Sequence, residues 1–279
     1  MMNSKRAARF IIHRSQMATN QKWALITGAS SGIGRAVAFE FAGKGYNLFL
    51  SSQDEQPLQQ VAADCHQQYD IETQAYVADL SRLESVDGLI RALFAPPIEI
   101  EFLVNNAGFG VGGEFLKTDL AQELNLLNVQ LAAMLKLTKA VLPQMRARKK
   151  GRILNVASVY SFAPVPFQAV YSACKAFLLT FSESLREELK GTGVTVTTLC
   201  PGTTRTEFRA RAGIAHRNQA AGASPEAVAE IAVRQTLRGK HLVVPGFANR
   251  VFVFFTRRLP VSVVPRLVRY INSTRGVNE

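Results

Sequence analysis

From Trp23 onward, short apolar runs alternate with longer segments in which apolar residues recur every three or four positions. That alternation is the pattern of βαβ units, which build a parallel sheet. The runs predict strands at 23–27, 47–51, 73–77, 102–104, 152–156, 195–199 and 242–244. The helical periodicity predicts helices near 34–43, 57–68, 82–94, 120–145, 170–190 and 225–238. Two carry start signals. Ser224, Pro225 and Glu226 supply an N-cap, a proline at the first helical position and a first-turn acid, and Gly239 supplies the stop. Ser81 is expected to cap the helix from Arg82, with Glu84 completing a capping box.

No repeat, low-complexity linker or composition break divides this body. The predicted fold is therefore α/β: a Rossmann-type, doubly wound, mostly parallel seven-stranded sheet with helices on both faces. The predicted organisation is a basic N-terminal tail at 1–22, one Rossmann-type domain at 23–248 and an apolar, basic C-terminal extension at 249–279. Within the domain, residues 203–223 are polar, basic and bounded by glycines, and read as a mobile loop with at most a short helix.

A chain of 279 residues with 47% apolar composition can bury a sizeable core. Its formal charge of +12 suggests nucleic acid until the charge is located. Residues 1–22 hold five basic side chains and no acid, and residues 231–279 hold nine and one, which leaves the body between them near neutral. A nucleic-acid reader would carry its positive stripe on the folded body, so that class is set aside. Cys65, Cys174 and Cys200 stand far apart and are odd in number, which argues against a disulfide framework and points to a reducing, cytoplasmic setting. The N-terminal segment has only Phe10–Ile12 as an apolar run, too short for a signal peptide. A mitochondrial address is one reading of its arginines; a floppy tail, or initiation at Met17, is the favoured one.

The segment "WALITGASSGIGRAVAFEFA" joins a strand, a glycine-rich turn and a helix without interruption. Gly28 permits the tight turn, Gly32 lets backbone approach a pyrophosphate, and Gly34 lets the helix pack on the strand. Free amides at the helix start then face the negative charge. The four fixed positions of TGxxxGxG should arise by chance in about half a per cent of chains this long, so a ligand-free turn is a minority reading. A Tyr and a Lys four apart, as in "YSACK", should occur about once in two such chains. Alone, that pair is weak.

TGASSGIG, NNAG at 105–108, a serine thirteen residues before YxxxK, and PG at 201–202 together resemble the short-chain dehydrogenase/reductase family, in its single-domain form. The resemblance implies an active site of Asn128, Ser158, Tyr171 and Lys175, each matched here. It implies that Tyr171 is the acid or base for hydride transfer between a nicotinamide and a carbonyl or secondary alcohol. Ser158 would hydrogen-bond the carbonyl oxygen, Lys175 the nicotinamide ribose, and Asn128 a water joining the lysine to solvent. One helical turn puts Tyr171 and Lys175 on one face, and the lysine charge favours the phenolate. Cys174 has no histidine near it in sequence and reads as core filler. No pair of histidines or cysteines has metal-ligand spacing, so no metal is expected.

For the cofactor, the resemblance implies contacts from Gly28, Ser30, Ser31, Gly32, Ile33 and Gly34 in the turn, and from Ser52 and Gln53 at the end of the second strand. It adds Asp79 and Leu80 at the adenine, Asn106, Ala107 and Gly108 at the adenosine ribose, Tyr171 and Lys175 at the nicotinamide ribose, and Pro201, Gly202, Thr204 and Thr206 after the sixth strand. Ser52 stands where NAD-binding relatives place an aspartate, and Gln53 where NADP-binding ones place an arginine. Neither would repel a 2′-phosphate, and Arg35 could lie near one; Asp54 argues for NAD. NADP is favoured over NAD.

Phe109, Val111, Tyr160, Phe162, Val165, Phe167 and Phe208 are the candidate pocket side chains, apolar enough to suggest a hydrophobic ketone. "VFVFFTRRLPVSVVPRLVRYI" is broken by arginines and prolines, so it cannot span a bilayer. It suits a membrane-surface segment, a lid over a lipophilic pocket, or packing on the body or a second subunit. The expected partners are thus a small carbonyl or alcohol substrate, a second copy in a homodimer or homotetramer through the long helices, and a membrane surface, with no nucleic acid. The competing function is a non-catalytic NADP-binding regulatory or scaffold protein.

Overall fold

The structure is a computed structural model and describes residues 10–14, 22–95, 98–208 and 222–274. Eight strands form one sheet: β1 Phe10–His13, β2 Trp23–Thr27, β3 Asn47–Ser52, β4 Thr73–Val77, β5 Ile100–Asn105, β6 Gly151–Val156, β7 Val194–Leu199 and β8 Leu242–Val243. Their order is β1-β4-β3-β2-β5-β6-β7-β8. All neighbours are parallel except β1, which pairs antiparallel with β4. The seven strands read from the sequence are all present; the eighth is β1, inside the segment expected to be a tail.

The strand is short, but its ring and imidazole find partners across the edge. Phe10 lies 6.0 Å from the Phe49 ring and 6.1 Å from that of Tyr76, and His13 stacks at 5.4 Å on His66. Pairing with β4 also covers an edge whose amides would otherwise be open.

Alternate residues of each central strand face opposite layers. Ala24, Ile26, Leu48, Leu50, Phe102, Val104 and Leu154 pack under α1 Gly32–Ala42, α2 Glu55–Tyr69 and α7 Pro225–Leu237. Leu25, Phe49, Leu103 and Ile153 pack under α3 Leu83–Leu93, α5 Ala133–Ala147 and the end of α6 Ala169–Glu188. Two-sided burial explains why these strands read as continuous apolar runs. The chain steps from β2 outward through β3 to β4, then returns to β5 on the other flank of β2. This reversal opens a crevice at the carboxyl ends of β2 and β5.

The predicted helix at 120–145 is α4 Leu120–Leu127 and α5, joined without a break by a π-helical turn at Asn128–Ala132. Such a turn preserves the apolar stripe, so periodicity alone does not reveal it. Ser81 does not cap α3. Arg82 holds the cap position without a side-chain bond, because the Ser81 hydroxyl donates instead to Asp79 Oδ1 at 2.7 Å. Two further helices follow the sheet, α8 Phe247–Thr256 and α9 Val264–Thr274.

At α7 the sequence signal and the structure coincide: Ser224 Oγ accepts from the Ala227 amide at 3.1 Å, Pro225 follows it, and Gly239 lies past the end at φ 67°. Ser224→Ala is expected to lower unfolding free energy by about 1 kcal/mol, read from the midpoint of urea denaturation at unchanged slope.

Candidate active site

β2 runs into Gly28 at φ 64°, and Gly32 opens α1 at φ 56°; both angles belong to the left-handed region that glycine tolerates. A Cβ on Gly34 would stand 2.2 Å from the Gly28 carbonyl oxygen, and one on Gly28 would stand 2.8 Å from Ala107 Cα. Only bare backbone allows this approach of helix and strand. Thr27 and Asn106 tie the same point together. The Thr27 hydroxyl donates to the Val104 carbonyl and accepts the Asn106 and Ala107 amides at 3.1 Å each, while Asn106 Nδ2 donates to the Thr27 carbonyl at 2.9 Å. Asn105 turns away. Its amide donates to Asn155 Oδ1 at 2.8 Å inside the body, a structural rather than a ligand contact.

The start of α1 carries no side-chain cap from Ser31 and no acid in its first turn. Its leading amides are thus left for an external anion, which fits a dinucleotide pyrophosphate. A cleft of about 670 Å³ opens there. Gly28, Ser30, Ser31, Gly32 and Ile33 line one end, Ser52 and Gln53 the rim, and Asp79, Leu80, Asn106, Ala107 and Gly108 the floor beside them. Gly34 supports the turn from behind and does not line the cleft.

At the rim, Ser52 Oγ donates to Ser30 Oγ at 2.8 Å, and Ser30 donates on to Asp54 Oδ2 at 3.3 Å. The Arg35 guanidinium lies 4.7 Å from the Phe39 ring centre, and Arg35 is not among the residues lining the cleft. One turn of helix separates those two residues, and the ring offers the cation a face. Asp79 accepts the Ser81 amide at 3.0 Å, which fixes its loop at the cleft wall.

The other end of the cleft is built by β6 and α6. Ser158 follows β6 and caps a single 3₁₀ turn at Val159–Phe162, accepting the Tyr160 amide at 3.2 Å. Tyr171 and Lys175 lie one turn apart on α6, with the ammonium 5.5 Å from the phenol ring centre. Lys175 is only 4% exposed and donates to the Val156 carbonyl at 2.9 Å. Burial lowers its pKa from the ordinary 10.5 to about 8. Tyr171 is buried against Phe208, ring centres 5.5 Å apart, beside Phe109, Val111 and Tyr160.

Ser158, Tyr171 and Lys175 line the cleft together, whereas Asn128 does not. Asn128 opens the π-helical turn and donates to the Ser81 carbonyl at 3.0 Å, joining that turn to the loop after β4. Cys174 and Cys200 are buried beside the lysine, and burial pushes their thiols up to about 11 and about 12. Neither is a thiolate at neutral pH. Among the described residues no group of His, Cys, Asp and Glu could hold a metal.

Pro201, Gly202, Thr204 and Thr206 also line the cleft. A Cβ on Gly32 would meet Thr206 Cγ2 at 3.1 Å, so this strand of chain lies directly across the glycine turn. An isolated parallel bridge between Thr204 and Ala223 pins it. Residues 209–221, part of the loop at 203–223 that the family resemblance implies covers the substrate, lie outside the described residues.

Of the candidate pocket side chains, Phe109, Tyr160 and Phe208 line the cleft. Val111 backs Tyr171, Val165 and Phe162 pack elsewhere, and the Phe167 carbonyl accepts the Gly113 amide. The sequence reading does not place Asn249 and Phe252 of α8 or Val268 and Ile271 of α9, which also line the cleft. The i, i+4, i+7 spacing of Val264, Val268 and Ile271 is the signal that could have found the inward face of α9.

A family profile described as short chain dehydrogenase matches residues 22–216. The chain is 38% identical over 183 residues to a very-long-chain 3-oxoacyl-CoA reductase of Anas platyrhynchos, covering 64% of this chain and 58% of that protein. It therefore spans under two thirds of that relative's length. It is 32% identical over 281 residues to a dehydrogenase/reductase SDR family protein 7-like of Anopheles gambiae, covering 94% and 84%. Among solved structures, a short-chain dehydrogenase from Sphingobium yanoikuyae in complex with NADPH superposes with a TM-score of 0.77 at 31% identity, over 85% of this chain and 93% of that one.

The buried ammonium has a measurable signature. Between about pH 8 and 10.5 the folded chain releases this proton while the unfolded chain keeps it, so stability rises with pH across that window. Urea unfolding of the wild type and of Lys175→Met from pH 7 upward is expected to show the wild type gaining on the variant above pH 8. Parallel curves would contradict the assignment.

Proposed function

The chain belongs to the short-chain dehydrogenase/reductase family, and we propose that it interconverts a hydrophobic carbonyl and its secondary alcohol with NADP(H), Tyr171 serving as the acid and base. The observation that carries this reading is the convergence of Ser158, Tyr171 and a buried Lys175 at one end of a cleft whose other end is a glycine turn with free amides.

Gly28, Ser31, Gly32 and Ile33 would hold the pyrophosphate, and Lys175 the nicotinamide ribose. When bound, the nicotinamide supplies or accepts hydride at the carbonyl carbon. In reduction the Ser158 and Tyr171 hydroxyls donate hydrogen bonds to the carbonyl oxygen, and Tyr171 gives its proton as the alkoxide forms. The adjacent ammonium stabilises the phenolate left behind. In oxidation the phenolate takes the alcohol proton back.

Asn128 acts at one remove: its side chain is committed to the Ser81 carbonyl, and the π-helical turn that it opens leaves backbone groups off the regular ladder. That turn is where a water relaying protons from Lys175 would be held.

NADP(H) is favoured over NAD(H) by the hydroxyl and amide of Ser52 and Gln53 at the rim and by the NADPH bound to the Sphingobium relative. Asp54, the counterweight, is engaged by Ser30. The apolar wall of Phe109, Phe208, Phe252, Val268 and Ile271 supports a lipophilic substrate. A 3-oxoacyl chain, named in the Anas relative, is of this class.

Tyr171→Phe is expected to lower kcat by about 10²- to 10⁴-fold with little change in the dissociation constant for NADPH, both followed by nicotinamide fluorescence across a panel of ketones and alcohols. Full turnover in the variant would remove the phenol from the mechanism. NADPH binding without turnover of any substrate by the wild type would favour the scaffold alternative.

A further inference from the structure

α8 turns Phe247, Arg250, Val251, Phe254 and Phe255 to solvent, and Arg258, just past its end, continues the same face. Their spacing of i, i+3, i+4, i+7, i+8 and i+11 defines one helical face. It is an unusual face for water: Phe247 is 76% exposed, Phe254 49% and Phe255 53%. In α9, Val264 and Val268 are buried against Ala163 and Val165, while Arg266, Leu267 and Tyr270, with Val263 just before the helix, are exposed. Val261, between the helices, is 76% exposed. A continuous exposed apolar patch of this kind marks an interaction surface.

Charge decides the partner. Residues 247–274 contain five arginines and no acid. The Arg258 guanidinium lies 3.5 Å from the Phe254 ring centre, so the cationic and apolar groups of the face are interleaved. Aromatic and aliphatic side chains set among arginines match the acyl boundary and phosphates of an anionic bilayer. A second copy meeting this face across a twofold axis would set arginines against arginines with no carboxylate between them. Among the described residues no helix is long and apolar enough to cross a membrane, which leaves an interfacial contact.

The opposite side of the same helices faces the cleft: Asn249 and Phe252 of α8 and Val268 and Ile271 of α9 line it. We propose that α8 and α9 seat the protein on an anionic phospholipid surface, so that the cleft they border receives its carbonyl substrate from the lipid phase. The docking stands on the exposed face alone; the substrate route rests on the oxidoreductase reading.

The test uses the full chain and vesicles of phosphatidylcholine, alone or mixed with an equal part of phosphatidylglycerol. The wild type is expected to co-sediment with the anionic vesicles about tenfold more strongly than with the neutral ones, and less at high salt. Combining Phe247→Ser, Phe254→Ser and Phe255→Ser is expected to weaken binding by about tenfold. None of the three lines the cleft, so turnover of a short water-soluble ketone should be unchanged, while kcat/KM for a long-chain ketone carried in vesicles should fall with binding. Equal sedimentation of wild type and variant, or none, would overturn the docking. So would a lipid-free, concentration-dependent oligomer of the wild type that the variant loses, which would give the face to a second copy. Vesicle binding without turnover of either ketone would overturn the oxidoreductase reading and the substrate route but leave the docking in place.

Discussion

The arrangement hangs on a contact between two stretches of backbone. α1 approaches the end of β2 so closely that no Cβ fits at Gly34, and Asn106, arriving from β5, hydrogen-bonds the carbonyls of Thr27 and Gly28 from the other side. That meeting fixes where the sheet reverses direction, and a parallel sheet that reverses leaves a crevice beyond its strand ends. The helix amides, the glycine turn and the loops after β4, β5, β6 and β7 all reach this crevice because they share that origin. Function is grouped there by topology before any side chain contributes.

At the far end the chemistry proposed for the cleft depends on a buried charge. Removing water from Lys175 is unfavourable for the ammonium, and one carbonyl, that of Val156, is its hydrogen-bond acceptor within the described protein. The same desolvation strengthens every electrostatic effect of the lysine on its neighbours. A lysine poised near neutrality can stabilise a phenolate and still exchange its own proton. The two thiols beside it are held protonated, so they do not compete for that role.

Much of this was legible because it is written in local patterns. Seven strands declared themselves as apolar runs buried on both faces, and the glycine turn declared itself between a strand and a helix. The features that were missed have non-local causes. β1 has an apolar run as short as those at 102–104 and 242–244, but it stands in a basic segment apart from the alternating pattern, and its partners Phe49, Tyr76 and His66 lie in other elements. The π-helical turn leaves the apolar stripe intact. Ser81 had a rival partner close by, an aspartate oxygen, and sequence gives no rule for choosing between it and the expected contact. The tail was read as amphipathic without a partner. Only the packed structure puts one of its faces on the cleft and the other in solvent.

The crossing of Thr206 over Gly32 has its own consequence. A dinucleotide whose pyrophosphate sat on that glycine would lie under a length of chain anchored through the Thr204–Ala223 bridge. The Arg205 and Ala223 amides bond across that bridge, and the Phe208 ring rests on Tyr171. Release of such a nucleotide would have to loosen several of these contacts at once, a step separate from the chemistry.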